Sequence, residues 1–168
     1  MKHIGTRTLT HIALLSALAL GLYVLEAQIP LPLPGMKLGL ANVVTLAAMR
    51  LLGRRQALAV LAVRLFLGAF VTGNVAALAY SLCGGAASFA VMALTVGHFP
   101  ERQTWVVSVL GAIAHMAGQM LVAVYVTGTT YILSYGLVLT AAAIAAGALC
   151  GVCAEGLCRA LRQIGSRR

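Results

Sequence analysis

The chain has 168 residues, of which 61% are hydrophobic and 9% are charged. Soluble domains carry roughly 25% charged residues, so this composition excludes an ordinary soluble domain and predicts a polytopic membrane protein. The net charge is +9, but no basic stripe with interleaved aromatics is present, which argues against a nucleic-acid partner. We expect a single transmembrane domain over residues 1–168, embedded in the lipid bilayer.

Hydropathy divides the chain into six apolar segments and therefore predicts an all-α bundle of six transmembrane helices. The segments cover about 8–28, 38–52, 56–72, 75–97, 104–127 and 131–158. A hydrocarbon core of about 30 Å needs about 20 helical residues, so the second and third segments are short. Gly53, Gly73-Asn74 and the stretch 127–130 are predicted to be turns between helices.

The basic residues predict the orientation of the bundle. With both termini in the cytoplasm, ten of the twelve lysines and arginines lie inside, all except Lys37 and Arg64. This bias follows the positive-inside rule of cell-membrane proteins. It places the connection between the first two segments on the exterior.

That connection is rich in proline. Pro30, Pro32 and Pro34 alternate, so the backbone there is expected to be extended, and Gly35 allows a sharp return into helix. We interpret it as a gate at the outer face of the membrane.

The first segment carries small residues four positions apart, at Ala13, Ala17 and Gly21. Such spacing forms a flat strip along one helix face that another helix can approach closely. The strip is either a docking surface for a partner helix or part of the packing within the bundle.

Several enzyme classes are excluded by missing residue types. The chain has no aspartate, and its acidic residues are Glu26, Glu101 and Glu155, so it cannot build an aspartate-rich magnesium–diphosphate site. It also lacks a phosphate-binding loop and a nucleophile elbow. Cys150 and Cys153 form an isolated CxxC, better explained by helix packing than by a metal site. We therefore expect no catalysis by the chain alone, no metal and no cofactor.

Few polar side chains lie inside the apolar segments, and each needs a physical reason. Arg64 lies about ten residues from Arg54, so roughly 15 Å from the inner face. His115 lies at roughly 16 Å by the same rise, and Asn42 reaches a similar height. Gln119 lies one turn outward of His115 on the same helix face. We expect a midplane binding site at this level.

Glu26 lies higher, at roughly 27 Å, so a direct pair with Arg64 has to bridge about 12 Å along the axis. We expect a ligand or water between the two, or an ion pair of Glu26 with Lys37. Near the inner face, Glu155 and Arg159 at i,i+4 predict a local ion pair.

Structural roles are the alternative for each of these polar side chains. Arg64 is either ligand-contacting or a cation that satisfies carbonyl groups, and His115 and Gln119 are either binding residues or cross-links between helices. Tyr131 and Tyr135 either line the pocket mouth or belong to the aromatic belt at the membrane interface.

Six short segments, the Ala13/Ala17 strip and the long first exterior connection resemble the substrate-binding S components of energy-coupling-factor transporters. More specifically, the run PLPGMKLGLAN from Pro32 to Asn42 resembles the signature of the Gx transporter family. Members of that family are often labelled heptaprenyl diphosphate synthase component I. The resemblance implies an outward-opening pocket under the first loop. It also implies docking of the strip onto a transmembrane coupling subunit driven by two ATPases.

The sequence thus predicts a membrane-embedded binding and uptake component for a small organic molecule that is anionic or strongly polar. The expected binding residues are Glu26, Lys37, Asn42, Arg64, His115 and Gln119. The alternative is an accessory membrane subunit of a heptaprenyl diphosphate synthase, which anchors a soluble catalytic partner.

Overall fold

The fold is an all-helical bundle, as predicted. The structure, a computed structural model, describes residues 5–29 and 36–166. Within these residues six α-helices and one short 3-10 turn, Glu101–Gln103, follow one another. The helices are α1 (Thr6–Glu26), α2 (Asn42–Leu52), α3 (Arg54–Thr72), α4 (Val75–Thr95), α5 (Thr104–Thr127) and α6 (Ile132–Ser166).

Five of these helices, all except α2, are long and apolar enough to cross a membrane. The predicted second span, 38–52, is wrong at its start because α2 begins only at Asn42. With 11 residues α2 is about 16 Å long and cannot cross a bilayer alone. Residues 36–41 before it are not helical but enter the bundle, where Met36, Lys37 and Ala41 are buried.

Helix α2 lies at the centre of the bundle. It packs against all five other helices. Eight consecutive residues, from Asn42 to Met49, are buried, so every face of this short helix is covered by protein. Around it, α1 packs on α3, α3 on α4, and α5 on both α4 and α6. A polar group on α2 is therefore enclosed by other helices.

Close contact between α4 and α5 depends on two glycines. A Cβ atom added at Gly84 would lie 2.9 Å from the backbone oxygen of His115, and one at Gly118 would lie 2.8 Å from that of Cys83. Small residues at such crossings let helix backbones approach closely. The crossing brings His115 and Gln119 on α5 against α4.

The predicted turns are present. Gly53, with φ of 95°, separates α2 from α3, and Gly73 and Gly128 end α3 and α5 in the left-handed conformation. Asn74 then begins α4, because its side chain accepts a hydrogen bond from the backbone N–H of Ala77 at 2.9 Å. This bond satisfies one of the free N–H groups at the helix start.

Candidate functional site

The non-helical segment 36–41 lies inside the bundle, where side chains from α1 and α5 bind its backbone. The Glu26 carboxylate, at the end of α1, accepts hydrogen bonds from the backbone N–H groups of Gly39 and Leu40. Non-helical backbone is tolerated at membrane depth only where protein satisfies its polar groups. Glu26 thus provides acceptors that a helix would otherwise supply.

Gln119 on α5 holds the same segment from the other side. Its side-chain oxygen accepts from the N–H of Lys37, and its amide nitrogen donates to the carbonyl of Lys37, both at 2.9 Å. The amide nitrogen also contacts Nε2 of His115. Since an amide nitrogen only donates, His115 Nε2 is the acceptor and the ring carries its proton on Nδ1. Gln119 is fully buried.

Gly39 allows this arrangement because it adopts φ of 89°. That backbone conformation is readily reached only by glycine. A Cβ atom at this position would lie 2.9 Å from Nδ2 of Asn42 and 3.1 Å from the His115 ring. The segment therefore passes directly over the polar side chains of α2 and α5.

Arg64 on α3 and Asn42 on α2 are in contact in the interior of the bundle. Nη1 of Arg64 donates to Oδ1 of Asn42 at 3.2 Å, and Arg64 is only 2% exposed. Two donors of this pair, Nε of Arg64 and Nδ2 of Asn42, have no hydrogen-bond partner among the residues that the structure describes. Buried polar groups in proteins are nearly always paired, so free donors in such a position favour an acceptor from outside the chain.

Lys37 is the second buried cation. Its ammonium group lies 2.9 Å from the centre of the Tyr23 ring, and within residues 5–29 and 36–166 it has no hydrogen-bond acceptor. Tyr23 in turn pairs its hydroxyl with that of Ser81 on α4 at 3.3 Å. Burial lowers the pKa of Lys37 from its ordinary value, whereas the Tyr23 ring and the Glu26 carboxylate oppose this shift.

We call six of the buried polar residues the polar cluster: Glu26, Lys37, Asn42, Arg64, His115 and Gln119. All six were predicted from the sequence, and the structure brings them together. The Glu26 carboxylate forms no direct ion pair with Arg64, as expected, and none with Lys37, so the alternative of a Glu26–Lys37 pair is wrong. The carboxylate is engaged by backbone N–H groups instead.

The polar cluster has an excess of positive charge. Arg64 and Lys37 share one carboxylate, that of Glu26, so two cations face one anion when His115 is neutral. A gap beside Gly39 and Asn42 measures about 10 Å³, which is about the size that a single water molecule needs.

Other predicted features lie apart from the polar cluster. Pro30, Pro32, Pro34 and Gly35 of the predicted gate fall outside the described residues. The strip residues Ala13, Ala17 and Gly21 are exposed on α1, so packing within the bundle does not explain their spacing.

Two predicted tyrosines and one predicted ion pair also lie apart from the polar cluster. Tyr131 and Tyr135 are exposed and do not face the cluster. Glu155 and Arg159 form the predicted ion pair.

Tyr23, Gly39 and Ser81 were missed by sequence reasoning. The role of Tyr23 could have been predicted from the sequence, since Tyr23 lies three residues before Glu26 and therefore on the same helix face. The sequence indicated Gly39 only weakly, as a glycine just before a helix start. It did not indicate Ser81, because serine is common in membrane helices.

A family model described as heptaprenyl diphosphate synthase component I matches residues 15–157 of the chain. The chain belongs to this family. The match begins within α1, ends within α6 and includes the whole polar cluster. It confirms the resemblance predicted from the run between Pro32 and Asn42. Comparison with curated proteins and with solved structures finds no match.

Proposed function

We propose that this protein is a membrane-embedded binding and uptake component that holds a small anionic molecule in the polar cluster. The observation that carries the proposal is the pair of buried cations, Arg64 and Lys37, with unpaired donors and only one carboxylate between them. An uncompensated charge in a membrane interior is costly, and residues that carry one are functional by default. An anionic ligand supplies the missing charge and acceptors.

The start of α2 supports the same ligand charge. Asn42 is the first residue of α2, and a helix N-terminus carries partial positive charge. Arg64 lies against this end. Helix dipole and guanidinium thus both favour an anion and disfavour a cation.

Within the proposed site the residues have two kinds of role. Arg64 and Lys37 attract the ligand, and Asn42 orients it through its free amide N–H. Glu26 and Gln119 act mainly through segment 36–41, which they hold in place over the cluster, and His115 supports Gln119. The proline-rich stretch before this segment is the proposed gate to the cluster.

Energy for uptake is proposed to come from partners rather than from catalysis by this chain. The exposed strip Ala13, Ala17 and Gly21 supports docking of a coupling subunit with two ATPases, because a Cβ at Gly21 meets nothing within 4 Å. We propose a cell-membrane location with both termini in the cytoplasm, on the strength of the charge bias. Ala17→Leu is expected to abolish co-purification of such a subunit without lowering the melting temperature of the isolated chain.

A second candidate function is favoured by the family description. Under this hypothesis the chain is an accessory membrane subunit that anchors a soluble prenyl diphosphate synthase. An apolar groove of about 120 Å³, lined by His11, Leu15, Leu51, Leu52 and Leu161, is the surface that suits a lipid chain. It is smaller than the 300–1,000 Å³ of typical small-molecule sites, so we rank this function second.

One experiment separates the two functions. The full chain is purified in detergent, and small molecules extracted from it are identified by mass spectrometry while co-purifying proteins are identified from the same sample. A stoichiometric small anion without a prenyl synthase supports uptake. A prenyl synthase with a bound prenyl lipid supports the accessory role and contradicts the first proposal.

A further inference from the structure

A polar cavity, apart from the polar cluster, lies at the end of the bundle that carries most of the arginines. It measures about 380 Å³, within the size range of small-molecule sites. We call it the basic-end cleft; its charged lining residues are Arg50, Glu101, Arg102, Glu155 and Arg159. It is separate from the polar cluster, because Arg50 lies eight residues along α2 from Asn42, about 12 Å away.

One wall of the cleft is fixed by Arg50, at the end of α2. Its guanidinium donates to the backbone carbonyls of Phe99 at 3.0 Å and Pro100 at 3.5 Å. Thr104 then donates its hydroxyl to the carbonyl of Glu101 at 2.6 Å. These bonds fix both ends of the 3-10 turn that carries Arg102, so this arginine is held at the cleft by an ordered backbone.

The opposite wall is the last part of α6. Arg159 donates a hydrogen bond to the Glu155 carboxylate within an ion pair; the Arg159 side chain is 70% exposed, whereas that of Glu155 is 18% exposed. An exposed i,i+4 pair contributes only about 0.3–0.5 kcal/mol, so Arg159 is free to exchange this partner for a stronger one. Arg102 is exposed as well.

We propose that the basic-end cleft binds a phosphate group through Arg102 and Arg159, with Arg50 as a fixed positive charge behind them. Three guanidinium groups face two carboxylates, so the cleft favours an anion. Guanidinium groups match phosphate oxygens in bidentate geometry. Basic pockets between membrane helices on the cytoplasmic side are also known sites for anionic lipid headgroups. The phosphate comes either from such a headgroup or from a soluble phosphate compound.

The test uses the full chain in phosphatidylcholine nanodiscs that contain a small fraction of phosphatidylglycerol. Retained phosphatidylglycerol is counted by native mass spectrometry, and binding of inorganic pyrophosphate is measured by calorimetry in discs without anionic lipid. The variants are Arg102→Gln, Arg159→Gln and Glu155→Gln. Arg55→Gln is the matched control, since it removes the same charge from an exposed residue outside the cleft.

Loss of one charge-assisted phosphate contact is expected to weaken binding about tenfold, in either Arg102→Gln or Arg159→Gln. Arg55→Gln is expected to leave binding within about twofold of wild type, because exposed charges are screened beyond a Debye length. Glu155→Gln alone is expected to strengthen binding, since it removes a repelling carboxylate and frees Arg159. A purely structural ion pair predicts no such gain.

The two probes identify the source of the phosphate. Lipid that pyrophosphate does not displace supports a headgroup site, and lipid that it displaces supports a site open to soluble phosphate. The proposal is overturned if neither probe binds, or if Arg55→Gln weakens binding as much as Arg102→Gln. It is also overturned if Glu155→Gln weakens binding. None of these outcomes depends on whether the polar cluster takes up a small molecule.

Discussion

Nη1 of Arg64 donates a hydrogen bond to Oδ1 of Asn42 at 3.2 Å, joining α3 to the first residue of α2 in the bundle interior. The contact leaves Nε of Arg64 and Nδ2 of Asn42 without acceptors. A bond made only for stability is expected to satisfy both side chains, because unpaired buried donors cost free energy. The free donors therefore favour a ligand site over a purely structural contact between α2 and α3.

Gln119 is predicted to be essential for the path of segment 36–41. Gln119→Leu removes both hydrogen bonds to the backbone of Lys37, and each unpaired buried backbone group costs about 1–3 kcal/mol. At roughly 2–4 °C per kcal/mol, the loss of both bonds is expected to lower the melting temperature in detergent by about 4–24 °C. Gln56→Leu, a similar change on α3 outside the cluster, is the control. An equal melting temperature for both variants contradicts the assigned role.

Lys37 is predicted to destabilise the ligand-free protein. Its ammonium group is buried over Tyr23 without an acceptor, so replacement by an apolar side chain of similar length removes a desolvation cost. Replacement of a whole buried ion pair by apolar side chains is often neutral or stabilising by about 1–4 kcal/mol, and among the described residues Lys37 has no ion-pair partner that its replacement would leave unpaired. We expect Lys37→Met to raise the melting temperature of ligand-free protein at pH 7. A large decrease would show that the cation is structural.

The pH dependence of stability gives an independent check on Lys37. Burial lowers its pKa in the folded state, so between that value and the ordinary 10.5 the unfolded chain binds more protons. Stability therefore rises with pH through this window. We expect the melting temperature of wild type, relative to that of Lys37→Met, to increase as the pH approaches 10.5. A difference that stays constant with pH would contradict the buried-cation assignment.

Two glycines on neighbouring helices are predicted to respond oppositely to the same change. A Cβ atom at Gly68 would lie 2.5 Å from the Tyr23 ring, whereas one at Gly21 meets nothing within 4 Å. Overpacking costs about 1–3 kcal/mol, so Gly68→Ala is expected to lower the melting temperature and to displace Tyr23 from Lys37. Gly21→Ala is expected to be neutral or slightly stabilising, because alanine favours helix. The reverse order of stability would contradict the close contact between Gly68 on α3 and Tyr23 on α1.

Hydropathy and helical periodicity were sufficient to predict the bundle and much of the cluster. Asn42, Arg64 and His115 were placed at one level by counting residues along straight helices, and a helix is regular enough for such counting to hold. The strip on α1 was likewise visible as a four-residue spacing.

The path of segment 36–41 could not be predicted in this way. Its backbone follows hydrogen bonds from Glu26 and Gln119, which lie 13 and 82 residues away from their partners in sequence. Such contacts leave no local periodic signal. For the same reason the second span was predicted to start four residues too early. The apolar body of Tyr23 also concealed its contact with Lys37, because an aromatic residue in a membrane helix is expected to pack like any other.

The most direct test of the central claim is the amount of small anion retained per chain after purification in detergent, compared among wild type, Arg64→Gln and Arg55→Gln. Arg64 belongs to the polar cluster, whereas Arg55 is an exposed arginine on the same helix, so the two changes remove equal charge. Loss of a charge-assisted contact worth about 1.5–3 kcal/mol predicts at least about a tenfold drop in retention for Arg64→Gln. Wild type and Arg55→Gln are expected to retain the anion near one per chain. Equal retention in all three proteins, or no small anion in any of them, would contradict a ligand site in the polar cluster.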